Sequence, residues 1–575
     1  MSDNQELHLD NPSAADINVR EDRRDFIKRS MVVMAAGAVA AAGATGQASA
    51  SPAVAPVSRL KRKEAIGNTF DYLILGGGSA GAVLAARLSE DGKKSVLLVE
   101  AGPSFDPEQY PEELYSSNII AANADPRYEW GYYALPDKQE QPVYTPRGKV
   151  IGGSSAINGA VACRALPYDF ERITAKGLKG WSYEEVLPYF RKMETYHTGR
   201  DEIHGRNGPF PIHQLTMDYI TPVQKAMVES SWKLGYAKVS DFNDPTANNG
   251  AGPNPMNIVN GVRVNTGMAY LSREVRERSN LTILSDALID KLRFQGNRVQ
   301  AALLADGREV FGKQVILSAG SYGTTAILLR SGVGPKADLA AMNIPLVKDA
   351  PVGTQLLDHA FYWMNFAARP ELKGKEHPVV GAQVWTHSSF ASSARELDIA
   401  VSPSHLLDPA ISKTGVAFSL GLELMKVKST GTVKLKSRDP KEAPVIQFNH
   451  LSDKDDMRRM VECFRLARKL ARTEPLKSLI VEEIYPGPSV GDSDAQISEA
   501  LAKGVGTLQH PCATARMGLA SDPLAVVDGE GRVHGLQGLR IVDASIFPEI
   551  PLINLNPNVI MMAEKIADRI RGEEA

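Results

Sequence analysis

The chain has 575 residues, 43% hydrophobic and 23% charged, globular proportions that exclude wholesale disorder. Its 65 Lys and Arg against 67 Asp and Glu leave a net charge of −2, without the basic surplus expected of a nucleic-acid partner. Three cysteines, Cys163, Cys463 and Cys512, cannot form a disulfide framework, and none has zinc-ligand spacing, so no metal site is expected.

Residues 1–50 read as a targeting segment. Arg23-Arg24 is followed by Phe26 and Lys28, Met31–Ala44 is an uninterrupted small and apolar run, and Ala48-Ser49-Ala50 offers a cleavage site. The pattern predicts twin-arginine export to the periplasm, with Asp22 in place of the usual Ser or Thr. Residues 51–68 read as a linker, Pro/Ala/Ser then Lys/Arg. No later stretch reaches the roughly 18 apolar residues of a membrane span, so none is expected.

Asp71–Leu75 predicts a buried strand, Ala80–Leu88 a helix and Ser95–Val99 a second strand, a βαβ unit. Trp181–Glu194 has the spacing of an amphipathic helix with Ser182 as N-cap. Residues 200–262, rich in Asn, Pro and Gly, are expected to be mostly loop. Leu281–Leu284 reads as a strand. Val299–Leu304 and Glu309–Leu317 read as a hairpin around Ala305-Asp306-Gly307. A short helix is expected over Ala326–Ser331, stopped by Gly332. Residues 346–450 carry alternating strand-like runs such as Gly431–Lys436. A long helix over Asp453–Ala471, a strand at Leu539–Val542 and a helix over Asn558–Ile570 complete the order. That order fits a mixed α/β protein with one dinucleotide-type domain and a second, strand-rich domain.

Gly76-Gly77-Gly78-Ser79-Ala80-Gly81 matches G-x-G-x-x-G between the first predicted strand and helix. Gly76 allows the tight turn, Gly78 lets backbone approach a pyrophosphate, and Gly81 lets helix and strand pack closely. The N–H groups at the helix start, around Ser79 and Ala80, would face the phosphates. Glu100, with Ala101 beside it, ends the second strand, where a carboxylate can accept both ribose hydroxyls of an adenosine. The hexapeptide also satisfies G-x-S-x-G, the pattern of a hydrolase with Ser79 as nucleophile and His510 as base. A nucleophile elbow normally follows several strands, and this reading leaves Glu100 without a role.

Four separated stretches, Asp71–Gly102, Arg147–Asn158, Gly320–Gly334 and His510–Ala567, together resemble the glucose–methanol–choline (GMC) flavoprotein oxidoreductases. The narrower likeness is to choline dehydrogenase-like, pyridoxine oxidase-like and hydroxymethylfurfural oxidase-like sequences. The resemblance implies an α/β fold: a Rossmann-like FAD-binding domain of several segments (69–165, 255–345, 505–575) and an α+β substrate domain with an antiparallel sheet (166–254, 346–504). It implies a small-molecule alcohol, expected to be primary, oxidised to an aldehyde, with O2 or a quinone or cytochrome as electron acceptor. A lyase on the same fold is the alternative. Ile157 stands where some members tether FAD through a histidine, so non-covalent FAD is expected. His510, in Gln509-His510-Pro511-Cys512, matches the family's catalytic histidine. Counting back from Glu564 places Asn556 as its partner, which could otherwise be an N-cap before Pro557. Gly152, Ser154, Ser155, Asn158, Ala287, Asp543 and Pro557 complete the expected cofactor contacts.

Overall fold

A computed structural model describes residues 68–573 apart from 118–124, 140 and 247. The predicted export segment and residues 51–67 lie outside the described residues. Strand β1 (Thr69–Leu75) feeds helix α1 (Ser79–Leu88), which returns to β2 (Val96–Val99). Every residue of β2 is buried, as a parallel strand covered on both faces requires. Helix α2 (Tyr183–Met193) begins at Ser182, whose hydroxyl accepts the Glu185 N–H while the Glu185 carboxylate accepts that of Ser182.

The stretch expected to be mostly loop contains helix α3 (Pro222–Lys233) and strand β3 (Gly250–Pro253). The Asn, Pro and Gly residues cluster after α3, whereas Thr221 and Gln224 form a capping box ahead of a buried Val223, Ala226, Met227 and Val228. There follow β4 (Leu281–Leu284), β5 (Ile289–Gln295), β6 (Arg298–Leu304), β7 (Glu309–Leu317) and α4 (Gly320–Arg330). Helix α4 starts six residues before the expected Ala326, because the Gly320 N–H and Thr324 hydroxyl are both tied to Asp543. Strands β8 (Ala360–Ala368), β9 (Ala382–Thr386), β10 (Ile399–Ser404) and β11 (Ala417–Leu424) precede helix α5 (Lys454–Ala471). The chain closes with β12 (Ile480–Tyr485), β13 (Gly506–Thr507), β14 (Leu539–Ile541) and helix α6 (Asn556–Glu573).

Two seven-stranded sheets organise these elements. The first has the order β4-β2-β1-β7-β6-β5; β1, β2, β4 and β14 run parallel to their neighbours, and β6 forms antiparallel pairs with β5 and β7. The second is antiparallel throughout, β12-β8-β11-β10-β9-β3, and β13 also pairs with β8. Val186, Phe190 and Met193 of α2, from a segment expected with the substrate domain, bury in the same apolar cluster as β1 and β2. Helix α6 packs on α1 and α2, and its Val559, Met562, Ala563, Ile566 and Ile570 are buried as their spacing predicts. No helix among the described residues is long and apolar enough to cross a membrane.

Candidate functional site

The site lies between the two sheets, in a cavity of about 1320 Å³. Its floor begins at the glycine turn. Gly76 has φ +109°, and a Cβ there would lie 2.4 Å from the Ser318 carbonyl oxygen. A Cβ on Gly81 would lie 1.9 Å from the Gly76 oxygen, so only glycine lets α1 close on the turn. At Gly78 a Cβ would meet nothing nearer than 3.9 Å, and this residue faces the cavity with Gly76, Ser79 and Ala80. Helix α1 has no side-chain cap, which leaves its first N–H groups and positive dipole end for a ligand.

Glu100 stands beside this turn. Its Oε2 accepts the Gly77 N–H at 2.8 Å and its Oε1 the Gly102 N–H at 2.9 Å. Burial pushes its carboxyl up to about 6, against the pull of those N–H groups. Glu100 therefore ties the glycine turn to the end of β2 while lining the cavity with Ala101. Asp543, at the end of β14, accepts the Gly320 N–H at 2.9 Å, the Thr324 hydroxyl at 2.5 Å and the Ser545 N–H at 2.8 Å. It too faces the cavity, with burial raising its carboxyl.

Ser154, Ile157 and Asn158 line the opposite wall. Ser154 Oγ accepts the Gly148 N–H at 3.1 Å, and Asn158 Oδ1 accepts the Ala160 N–H at 3.0 Å. Five expected contacts, Gly81, Gly152, Ser155, Ala287 and Pro557, do not line the cavity. The Ser155 hydroxyl donates to the Gly152 carbonyl at 2.6 Å and meets Thr266, and the Ala287 N–H donates to the Glu100 carbonyl at 2.9 Å. These residues build the wall from behind, and Leu288 faces the cavity in place of Ala287.

His510 lies on the segment between β13, in the second sheet, and β14, in the first. Its neighbours Gln509 and Ala513 have φ +69° and +65°, a region that strains a residue with a Cβ. Ala513 thus takes the left-handed backbone that glycine adopts more readily. The His510 N–H donates to Asp358 Oδ1 at 2.7 Å, and Asp358 Oδ2 lies 3.0 Å from His450 Nε2. Arg147 donates to the Gln509 carbonyl at 3.0 Å and to its side-chain oxygen at 2.7 Å. His359 Nδ1 lies 2.8 Å from His510 Nδ1, with the rings edge to face. Desolvation, and His359 beside it, push His510 down to about 3, and desolvation brings His359 to about 4, so both rings are neutral near pH 7. Cys512 is buried, and desolvation carries its thiol well above the usual range, so it supplies no thiolate.

The structure places Asn554, and not the expected Asn556, beside His510. Asn556 Oδ1 accepts the Ser79 hydroxyl at 2.7 Å, joining the N-termini of α6 and α1. Asn554 Nδ2 is the amide beside His510 Nε2, at 3.5 Å. Asn554 precedes α6 by two residues and lines the cavity beside His510. The clue was present in Asn554-Leu555-Asn556, where alternate residues point to one side; a count from Glu564 alone could not choose between them. His359 and Asp358 carried no motif signal and enter through the fold. The Ser79–Asn556 bond also removes the hydrolase geometry, because the partner of Ser79 is an amide oxygen and not a histidine.

Two GMC oxidoreductase family signatures match the chain, one over residues 70–361 and one over 427–563. The oxygen-dependent choline dehydrogenase of Paraburkholderia phymatum is 38% identical over 545 residues, spanning 88% of this chain and 92% of its own length. The chain belongs to the GMC oxidoreductase family. Its fold is shared with pyridoxine 4-oxidase from Mesorbium loti (TM-score 0.80, 31% identity, 88% of this chain and 99% of that one). A variant of Aspergillus oryzae formate oxidase, studied for its effect on FAD modification, superimposes with TM-score 0.78 at 26% identity over 88% of this chain and 99% of its own. As a GMC oxidoreductase the chain is an FAD-dependent enzyme acting on CH–OH donors. The residues present fit that cofactor: an uncapped helix start behind an open Gly78, a buried carboxylate at the end of β2, and a cavity that continues to the His510 wall.

Proposed function

We propose that this chain is an exported enzyme that oxidises a primary alcohol to an aldehyde, with His510 as the base. The carrying observation is His510 at the cavity wall, held by His359 on one ring nitrogen and facing Asn554 with the other. In the proposed tautomer the His510 Nδ1–H donates to His359, and Nε2 keeps its lone pair toward the cavity and the Asn554 amide. Nε2 takes the hydroxyl proton of the alcohol, and Asn554 orients the same oxygen. Bound FAD supplies the acceptor for the hydride.

Gly76, Gly78, Ser79 and Ala80 would hold the pyrophosphate, Glu100 the ribose, and Ser154, Asn158 and Asp543 the ring system. The Asn556 start of α6 points its positive dipole end toward the cavity, which favours negative charge there. Ile157 offers no nucleophile at the cavity wall, in keeping with non-covalent FAD. The twin-arginine pattern supports export to the periplasm, with dioxygen, a quinone or a cytochrome as electron acceptor.

Anaerobic flavin reduction by a panel of primary alcohols tests the reading. Bleaching of the flavin band near 450 nm is expected in the wild type. His510→Ala should keep FAD and slow bleaching at least about a hundredfold; a loss under tenfold would refute the base. Readmitting air separates dioxygen from the other acceptors. Replacing Arg23 and Arg24 by lysine should leave the protein in the cytoplasm, and unchanged export would overturn the targeting assignment.

A further inference from the structure

Asn554, Asn556 and Asn558 stand at alternate positions around the start of α6, and each has a different partner. Asn556 accepts the Ser79 hydroxyl and Asn554 faces His510. Asn558 is 1% exposed, and its side chain does not line the cavity. Its Nδ2 donates to the Asn554 carbonyl at 2.7 Å, and its Oδ1 accepts the Ala165 N–H at 2.8 Å. These two partners fix which way the amide points. Turned over, it would set N–H against N–H and oxygen against oxygen. Aspartate lacks the donor and leucine lacks both groups, so of the side chains of this shape asparagine alone serves both contacts.

Asn554 has little else to hold it. The ladder of α6 begins with the Val559 N–H on the Leu555 carbonyl, one residue past the carbonyl of Asn554. Among the described residues, the side-chain hydrogen bond of Asn554 is the one to His510 Nε2, and at 3.5 Å it stands at the outer limit of such a bond. A small outward shift of the backbone at Asn554 therefore breaks it.

Ala165 is a firm anchor. On one side of it the Arg164 N–H donates to Asn243 Oδ1 at 2.7 Å, and the buried Arg164 guanidinium pairs with Glu194 at 3.1 Å. On the other side the Leu166 N–H donates to Asp169 Oδ2 at 3.0 Å, and Asp169 Oδ1 accepts the Leu552 N–H at 2.9 Å. Residues 552–558 are thus tied to residues 165–169 at both ends, by Asp169 at Leu552 and by Asn558 at Ala165. Asn554 lies between the two ties.

We propose that Asn558 is a positioning residue for the alcohol oxidation: it fastens the backbone of Asn554 to Ala165, and so keeps the Asn554 amide and His510 Nε2 on one alcohol oxygen. The inference rests on the alcohol-oxidising reading above and adds the residue that holds its amide in place. Asn558 acts through Asn554, because its own side chain is turned away from the cavity.

Stopped-flow reduction of the flavin without oxygen, at saturating alcohol, tests this role. The probe is the fastest of benzyl alcohol, butan-1-ol and pyridoxine on the FAD-loaded enzyme. Asn558→Ala should keep FAD and slow the limiting rate at least about fivefold. In an Asn554→Ala background the same change should slow it less than about twofold further, because the amide it positions is already gone. A buried asparagine that served packing alone would cost the same factor in both backgrounds. Equal factors in the two backgrounds, or an Asn558→Ala rate within about twofold of wild type, would overturn the inference. A crystal structure of the FAD-loaded wild type needs no variant to fold. It should show the Asn558 amide bridging Ala165 and Asn554, with the Asn554 amide at His510, and an Asn558 amide turned from either partner would overturn the inference too. Asn554→Ala as fast as wild type, with His510→Ala slow, would remove the positioning role and leave the alcohol oxidation standing. No bleaching by any primary alcohol would refute both.

Discussion

At His510 a single side chain meets three constraints. Its backbone is held by Asp358, one ring nitrogen by His359, and the other faces Asn554. Because desolvation lowers both histidines, to about 3 and about 4, their neutral forms persist below the ordinary value near 6.5. The limiting rate of flavin reduction at saturating alcohol should therefore stay level from about pH 8 to about pH 5, with its acid limb lower still. An acid limb near 6.5 would refute the neutral pair. The two asparagines should separate cleanly. Asn554→Ala should slow flavin reduction at least about tenfold with FAD retained. Asn556→Ala removes the acceptor of the Ser79 hydroxyl and should weaken FAD retention more than the rate. The reverse pattern in stopped-flow and flavin-content measurements would return the catalytic amide to Asn556.

At the scale of elements, α1 and α6 act as a pair. Arg87 of α1 makes two-pronged contact with Glu564 of α6, 2.8 Å at its shortest, and Tyr270 adds a hydrogen bond at 2.9 Å. Glu564 is fully buried, so Glu564→Ala strands the guanidinium and should cost about 3–5 kcal/mol in denaturant unfolding. A loss under 1 kcal/mol would mean that apolar packing alone docks the helices. Gly81→Ala puts a methyl group against the Gly76 carbonyl and should yield protein without the flavin band near 450 nm. The βαβ unit was legible because apolar runs, glycine spacing and Glu100 all lie within one short stretch. Helix α3 was obscured by the Asn, Pro and Gly residues that follow it. The start of α4 depends on Asp543, more than two hundred residues downstream, and no local window holds that bond.

At the scale of the molecule, the cavity belongs to both sheets, and the segment from β13 to β14 carries His510 across the seam. FAD bound there should stabilise the whole fold by mass action, about 4 kcal/mol at a thousandfold excess over Kd. Protein stripped of FAD should melt several degrees lower. Trp181 packs in the core of the first sheet and Trp385 lies in the second sheet, so their fluorescence should report one shared transition. An early, separate loss of the second sheet would refute the coupling.

The sequence by itself determined the glycine turn, the closing helix and the family, and it singled out His510 as the residue for which a catalytic role is proposed, because each is written in short-range spacing or in a run of consecutive residues. The tertiary structure decided the rest of the site. Asn554 beside His510 and the His359 contact arise where distant strands pair and where a helix start claims one amide and releases another. Strand register and helix docking are set by packing over the whole chain. Their outcome is fixed only when both sheets close around the cavity.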